Sequence, residues 1–133
     1  MKLEVGTLIL RVYLGFAFFI HGLAKFQGGV ENTAGWFDSM GIPGFAAYIV
    51  AIVELAGGLL LIVGLGTRYI SGLFFIIMIV ATLMVKLSSG FMGNGQGTGF
   101  ELDLAYAAMS LFFVLYPASN LSLDSKVGKK RRE

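Results

Sequence analysis

Polar residues are sparse along this chain and fall in clusters, leaving four long apolar runs over roughly residues 5–26, 44–64, 69–87 and 102–116. A helix needs about 20 residues to cross a hydrocarbon core ~30 Å thick. The first three runs meet that length. The fourth is short and draws on its acidic start, nearer Phe100, or on the Leu-rich stretch to Leu123. The pattern predicts an all-α integral membrane protein, a four-helix bundle, with one four-span domain over 1–123 and a basic tail over 124–133. The first run exceeds the ~7–15-residue apolar stretch of a secretory signal and no small-residue cleavage site follows, so it is read as retained.

The connections fit this plan. Gly66–Arg68 reads as a tight turn between the second and third helices. The first long loop, QGGVENTAGWFDSMGIPG, carries Trp36 and Phe37 and can start a short interfacial helix at Glu31-Asn32-Thr33. The second, GFMGNGQGTGF, has the glycines of a dinucleotide-binding string, but no strand precedes it, and a linker is the better reading.

Composition sharpens the class. Of 133 residues, 56% are hydrophobic and 14% charged, with mean hydropathy +0.81, whereas soluble domains carry about 25% charged residues. The pI near 9.0 comes from Lys126, Lys129, Lys130, Arg131 and Arg132, a tail that suits anionic lipid at a cytoplasmic surface rather than nucleic acid. With four spans, a cytoplasmic tail puts the N-terminus inside as well. Lys2 and Arg68 then face inward, with Lys25 and Lys86 near the outer side of the cell membrane. The chain has no Cys and one His, which excludes disulfide relays, iron–sulfur clusters and bis-histidine haem within one chain. No metal site is expected.

Against this background Glu54 is conspicuous. At ~1.5 Å per residue from Gly44 it lies ~15 Å deep, where a charge costs about 2.5–3.5 kcal/mol and needs a partner. Ala47, Ala51, Glu54, Gly58 and Leu61 form a stripe at three- and four-residue steps. Arg11, Gly15, Phe18, Gly22 and Lys25 form another on the first helix. Small residues on both permit close antiparallel packing. Counting each helix from its expected edge puts Arg11 within ~6 Å of the depth of Glu54, so an Arg11–Glu54 ion pair is expected. Such a pair can specify packing without any chemistry.

A second cluster belongs near the outer face: His21 and Lys25 four apart on the first helix, Lys86 ending the third, and Glu101 and Asp103 opening the fourth, where carboxylates suit a helix N-terminus. An interfacial charge ring is the simpler explanation, and for Lys25, Lys86 and Asp103 it is the favoured one. His21 sits further in, where a neighbouring acid can hold it as a proton-transfer group.

At these residues the chain resembles the DoxX family of small four-helix membrane proteins, through LRVYLGFAFFIHGLAKF, GWFDSMGIP, VELAGGLLLIVGLGTR and FELDLAYAA. Within the family it is similar to oxidoreductases of Gram-positive bacteria linked to catechol and hydroquinone resistance. The resemblance matches Arg11, His21, Gly22, Lys25, Glu54, Gly58, Arg68 and Glu101 or Asp103 to the family's polar positions. It implies redox-stress or detoxification chemistry involving a quinone. The absence of Cys departs from the thiol roles of some relatives.

Two readings follow. In the first, the protein is a quinone- or catechol-linked oxidoreductase, or the membrane subunit of a redox complex. His21, Glu101 and Asp103 would be its proton-transfer groups, and Lys25, Lys86 and Phe18 would hold the quinone or small phenol. Phe16, Phe19, Phe74, Phe75, Phe112 and Phe113 could line the same slot. No residue set specifies a resident cofactor, so electrons would come from a redox partner protein, from a flavin borrowed from elsewhere, or by direct quinone–quinol exchange. In the second, it is a small-molecule exporter or assembly subunit. Four spans are few for a transporter, so the exporter reading requires a homo-oligomer.

Overall fold

The computed structural model describes residues 2–86, 90–93, 99–116 and 122–125, though not the side chains of Val85 and Lys86. The basic residues from Lys126 onward, residues 94–98 of the glycine-rich loop and the Lys86 side chain therefore lie outside it. Every regular element among the described residues is helical: α1 (Lys2–Gln27), α2 (Val30–Ser39), α3 (Phe45–Val63), α4 (Thr67–Ala81) and α5 (Glu101–Leu115), with a π-helical turn, Thr82–Lys86, prolonging α4. The expected runs and the short loop helix correspond to these elements within a few residues.

Packing follows the small residues. A Cβ on Gly15 would lie 2.6 Å from the Gly58 carbonyl oxygen, and one on Gly22 would lie 2.5 Å from the Leu55 amide nitrogen. The α1 and α3 backbones thus touch along the predicted stripes, the close approach that glycine permits between membrane helices. α4 and α5 form a second antiparallel pair, and α3 joins the two pairs through its contact with α4. The centre is filled by Leu14, Phe18, Leu61, Phe74, Tyr106 and Phe113, with the Phe18 and Phe74 rings stacked at 3.8 Å and 13°. A smaller cluster of Val30, Ala47 and Ala51, flanked by Ala34 and Phe37, seats α2 on α3.

Outside this core, Ile9, Leu10, Ile52, Ile76 and Leu111 are all exposed, the inverse of a soluble surface and the expectation for lipid-facing helices. Among the described residues three helical stretches are long and apolar enough to cross a membrane: Lys2–Gln27, Phe45–Val63 and Thr67–Met84. α5, with 15 residues, covers only ~22 Å by itself.

The end of the bundle opposite α2 is closed by backbone chemistry. α3 stops at Gly64, whose φ of 77° is left-handed and open to glycine at little cost. The Leu65 and Gly64 amides donate to the Leu60 and Leu61 carbonyls at 2.9 and 3.1 Å, a Schellman arrangement. Asp124 then caps α4: its carboxylate accepts from the Gly66 and Thr67 amides at 2.7 and 2.9 Å, and its own amide donates to the Gly64 carbonyl at 2.9 Å. Arg68 Nε donates to the Val114 carbonyl at 3.1 Å, tying α4 to the last turn of α5.

Candidate functional site

The α1–α3 glycine contacts fix the level of every charge on those helices, and they overturn one expectation. Arg11 does not pair with Glu54. It lies level with the last turn of α3, 1% exposed, where its Nε donates to the Leu61 carbonyl at 3.0 Å. Its guanidinium packs beneath Gly64 and within the electrostatic reach of Asp124. A cation at a helix C-terminus meets unsatisfied carbonyls and the negative end of the helix dipole. Glu54 lies two turns back toward the start of α3, beside Gly22, and its Oε1 meets Lys25 Nζ at 2.7 Å. The pair is asymmetric: the Glu54 side chain is 3% exposed and that of Lys25 is 23%.

This ion pair forms part of the wall of a cavity of about 520 Å³ at the α2 end. α1 contributes His21 and Lys25, α2 contributes Trp36 and Phe37, and α3 contributes Val50 and Glu54. Ile76, Ile77 and Val80 of α4 and Leu102, Asp103 and Tyr106 of α5 close the rest. The lining is mostly apolar, and its polar groups are concentrated in His21, the Lys25–Glu54 pair and Asp103. The volume falls within the range of small-molecule pockets, and an apolar slot with a few fixed polar groups is their usual form.

Each wall has a local cause. His21 and Lys25 are one turn apart and share a face. Asp103 sits in the first turn of α5, where the helix dipole favours a carboxylate, and it is buried. Tyr106 follows it on the same face. The Tyr106 ring meets His21 edge-on at 6.2 Å and 80° and tilts against Phe18 at 5.6 Å, while its hydroxyl is engaged with Tyr13. Thr82 Oγ1 donates to the Met78 carbonyl at 2.9 Å as α4 widens into its π turn just beyond Val80 and Ala81.

Of the residues singled out from the sequence, His21, Lys25 and Asp103 come together here. Glu101 does not line the cavity; it stands exposed at the first position of α5. Phe18 is buried in the stack with Phe74 and supports the Tyr106 ring from behind. Sequence reasoning missed Glu54 as a member of this site, Tyr106, and the wall formed by Trp36 and Phe37. The i to i+3 spacing of Asp103 and Tyr106 is the signal that could have found Tyr106. Among the described residues no group of His, Asp and Glu is placed to hold a metal ion.

A family model described as DoxX matches residues 6–87. The chain is 43% identical over 129 residues, covering 97% of itself and 92% of the relative, to the Bacillus subtilis (strain 168) protein named "Putative oxidoreductase CatD". It is 28% identical over 135 residues, 94% of this chain and 83% of the relative, to "Uncharacterized membrane protein Rv3486" of Mycobacterium tuberculosis. It is 37% identical over 68 residues, about half of each chain, to "Inner membrane protein YqjF" of Escherichia coli (strain K12). No solved structure matches.

Proposed function

Because the chain belongs to the DoxX family of membrane proteins, we propose that it is a four-span protein of the cell membrane whose α2-end cavity binds a quinone or small phenol in the service of redox detoxification. The observation that carries the reading is the cavity itself. A mostly apolar slot of about 520 Å³ has His21, Asp103 and the Lys25–Glu54 pair in its wall. A planar aromatic ring fits among Trp36, Phe37 and the α4 aliphatic side chains, and its oxygens require a few hydrogen-bonding groups at the edge of the slot.

In this reading His21 and Asp103 exchange protons with a ligand oxygen, and Lys25 fixes that oxygen. Glu54, placed between Lys25 and the electrostatic reach of His21, links the two. Electrons pass to or from a second quinone or a partner protein, because the chain offers no thiols. The name of the Bacillus subtilis relative supports an oxidoreductase role. The reading also places both termini on the cytoplasmic side, in keeping with the basic tail.

The test is calorimetric titration of the purified protein in mild detergent with a water-soluble quinone analogue. Saturable binding that Asp103→Asn or His21→Ala weakens about tenfold, or ~1.4 kcal/mol, supports the site. Non-saturating partition into the micelle, identical for every variant, rejects it.

A further inference from the structure

The Lys25–Glu54 pair carries an inference about which redox form of ligand the cavity accepts; it rests on the reading that the cavity takes a quinone or phenol. A lysine ammonium has three protons to donate, and an ionised carboxylate only accepts, at about four lone-pair positions. Their mutual contact at 2.7 Å uses one of each. Glu54 Oε1 is buried and, among the described residues, its one close polar contact is Lys25 Nζ. The wall on the α2 side, Phe37, Val50 and Ile77 with the Trp36 indole as its one polar group, offers Glu54 no second carboxylate or acceptor to compete with it. A ligand entering beside the pair therefore meets a donor and a strong acceptor within one oxygen's reach.

A quinone carbonyl is an acceptor only. It can accept a hydrogen bond from Lys25, but its lone pairs then face the Glu54 carboxylate, whose side chain is 3% exposed, so that the repulsion is weakly screened. A phenolic hydroxyl satisfies both groups through one oxygen: its O–H donates to Glu54 and its lone pair accepts from Lys25. No charge needs to move, and the ion pair stays intact. We infer that the cavity selects the hydroxyl-bearing, reduced form of its aromatic ligand over the corresponding quinone, with Glu54 as the acceptor and Lys25 as the donor that together recognise the hydroxyl. Hydrogen-bonded charges of this kind make stronger and more discriminating contacts than neutral groups, and a site built to bond a hydroxyl disfavours the analogue that lacks it.

The experiment titrates the full-length protein, anaerobically and in mild detergent, with durohydroquinone, duroquinone and the dimethyl ether of the hydroquinone. The three share a ring and differ at the oxygens. Wild type is expected to bind the hydroquinone saturably and at least about tenfold more tightly than the other two. In the Lys25→Met/Glu54→Gln double variant, which leaves neither charge unpaired, the preference should fall to within about twofold. Equal or tighter quinone binding by wild type overturns the inference while leaving the proposed function standing. So does an unchanged preference in the double variant. Failure of all three probes to bind wild type saturably overturns both. The wild-type comparison alone decides the matter if the variant does not fold.

Discussion

Lys25 Nζ lies 2.7 Å from Glu54 Oε1 across the α1–α3 interface, with the carboxylate 3% exposed and the ammonium 23%. This asymmetry predicts unequal single substitutions. Lys25→Met strands a carboxylate that is almost wholly enclosed and should cost toward the ~3–5 kcal/mol typical of breaking a buried pair. Glu54→Gln frees an ammonium that can swing toward water, so it should cost less. The double variant should recover part of the larger loss. Thermal denaturation in detergent reads all four proteins, and strictly additive effects would show that the two residues are not coupled.

The α1–α3 contact gives a second expectation. Gly58→Ala would drive a methyl group to 2.6 Å from both the Gly15 carbonyl oxygen and the Phe19 amide nitrogen, whereas a Cβ on Gly6 meets nothing within 4 Å. Because the obstacles at Gly58 are backbone atoms, the helices must part, and the loss should reach or exceed the ~1–3 kcal/mol of ordinary overpacking. Gly6→Ala should be neutral or slightly stabilising, since alanine favours the helix. Comparable melting temperatures for the two variants would contradict the close approach.

The contrast between these two contacts explains what the sequence could reveal. Glycine stripes at helical spacing identified the faces that meet, because small residues on an apolar helix have few other uses. They did not identify the stagger. Depth counted from expected helix ends assumed that α1 and α3 begin and stop together, which brought Arg11 near Glu54. In the fold Gly15 seats on Gly58 and Gly22 on Leu55, and the first turns of α1 project past the end of α3. Arg11 thereby reaches the Leu61 carbonyl, and Lys25, read from the sequence as part of an interfacial ring or as a ligand contact, drops onto Glu54. The convergence of His21 with Asp103 was legible because both lie at the same end of their spans. The Trp36–Phe37 wall was not, because the seat of a short interfacial helix depends on tertiary contacts to Ala47 and Ala51.

Asp124 supplies a third prediction. Its carboxylate holds two amides at the start of α4 and its charge faces Arg11. Asp124→Ala should cost about 0.5–2 kcal/mol as a lost helix cap, with more if the Arg11 charge is also left uncompensated. Asp124→Asn keeps one acceptor oxygen and should retain part of the capping. Melting temperatures ordered wild type, then Asn, then Ala would support the cap; no change for Ala would refute it.

The proposed four-span topology, with both termini cytoplasmic, predicts sidedness. The chain has no Cys, so single cysteines can be introduced at Asn32 on α2 and at Ser125 beyond α5. A membrane-impermeant thiol reagent should label position 32 only from outside intact cells and position 125 only after the cytoplasmic face is opened. Labelling of both from the same side would require an odd number of crossings between α2 and Ser125 to be abandoned.

The acidic start of α5 separates the two candidate carboxylates for ligand binding. Asp103 is buried and lines the cavity with Tyr106 and His21, while Glu101, two residues earlier, is exposed and stands outside it. Both carry the same charge in the same helical turn, so their effects on the helix dipole are similar. A comparison of Asp103→Asn with Glu101→Gln therefore isolates position from charge. If the cavity binds a quinone or phenol, Asp103→Asn should weaken calorimetric binding of a quinone analogue about tenfold, or ~1.4 kcal/mol, and Glu101→Gln should leave it within about twofold. Equal weakening by both would point to a diffuse electrostatic effect at the membrane surface, and would remove Asp103 from the site.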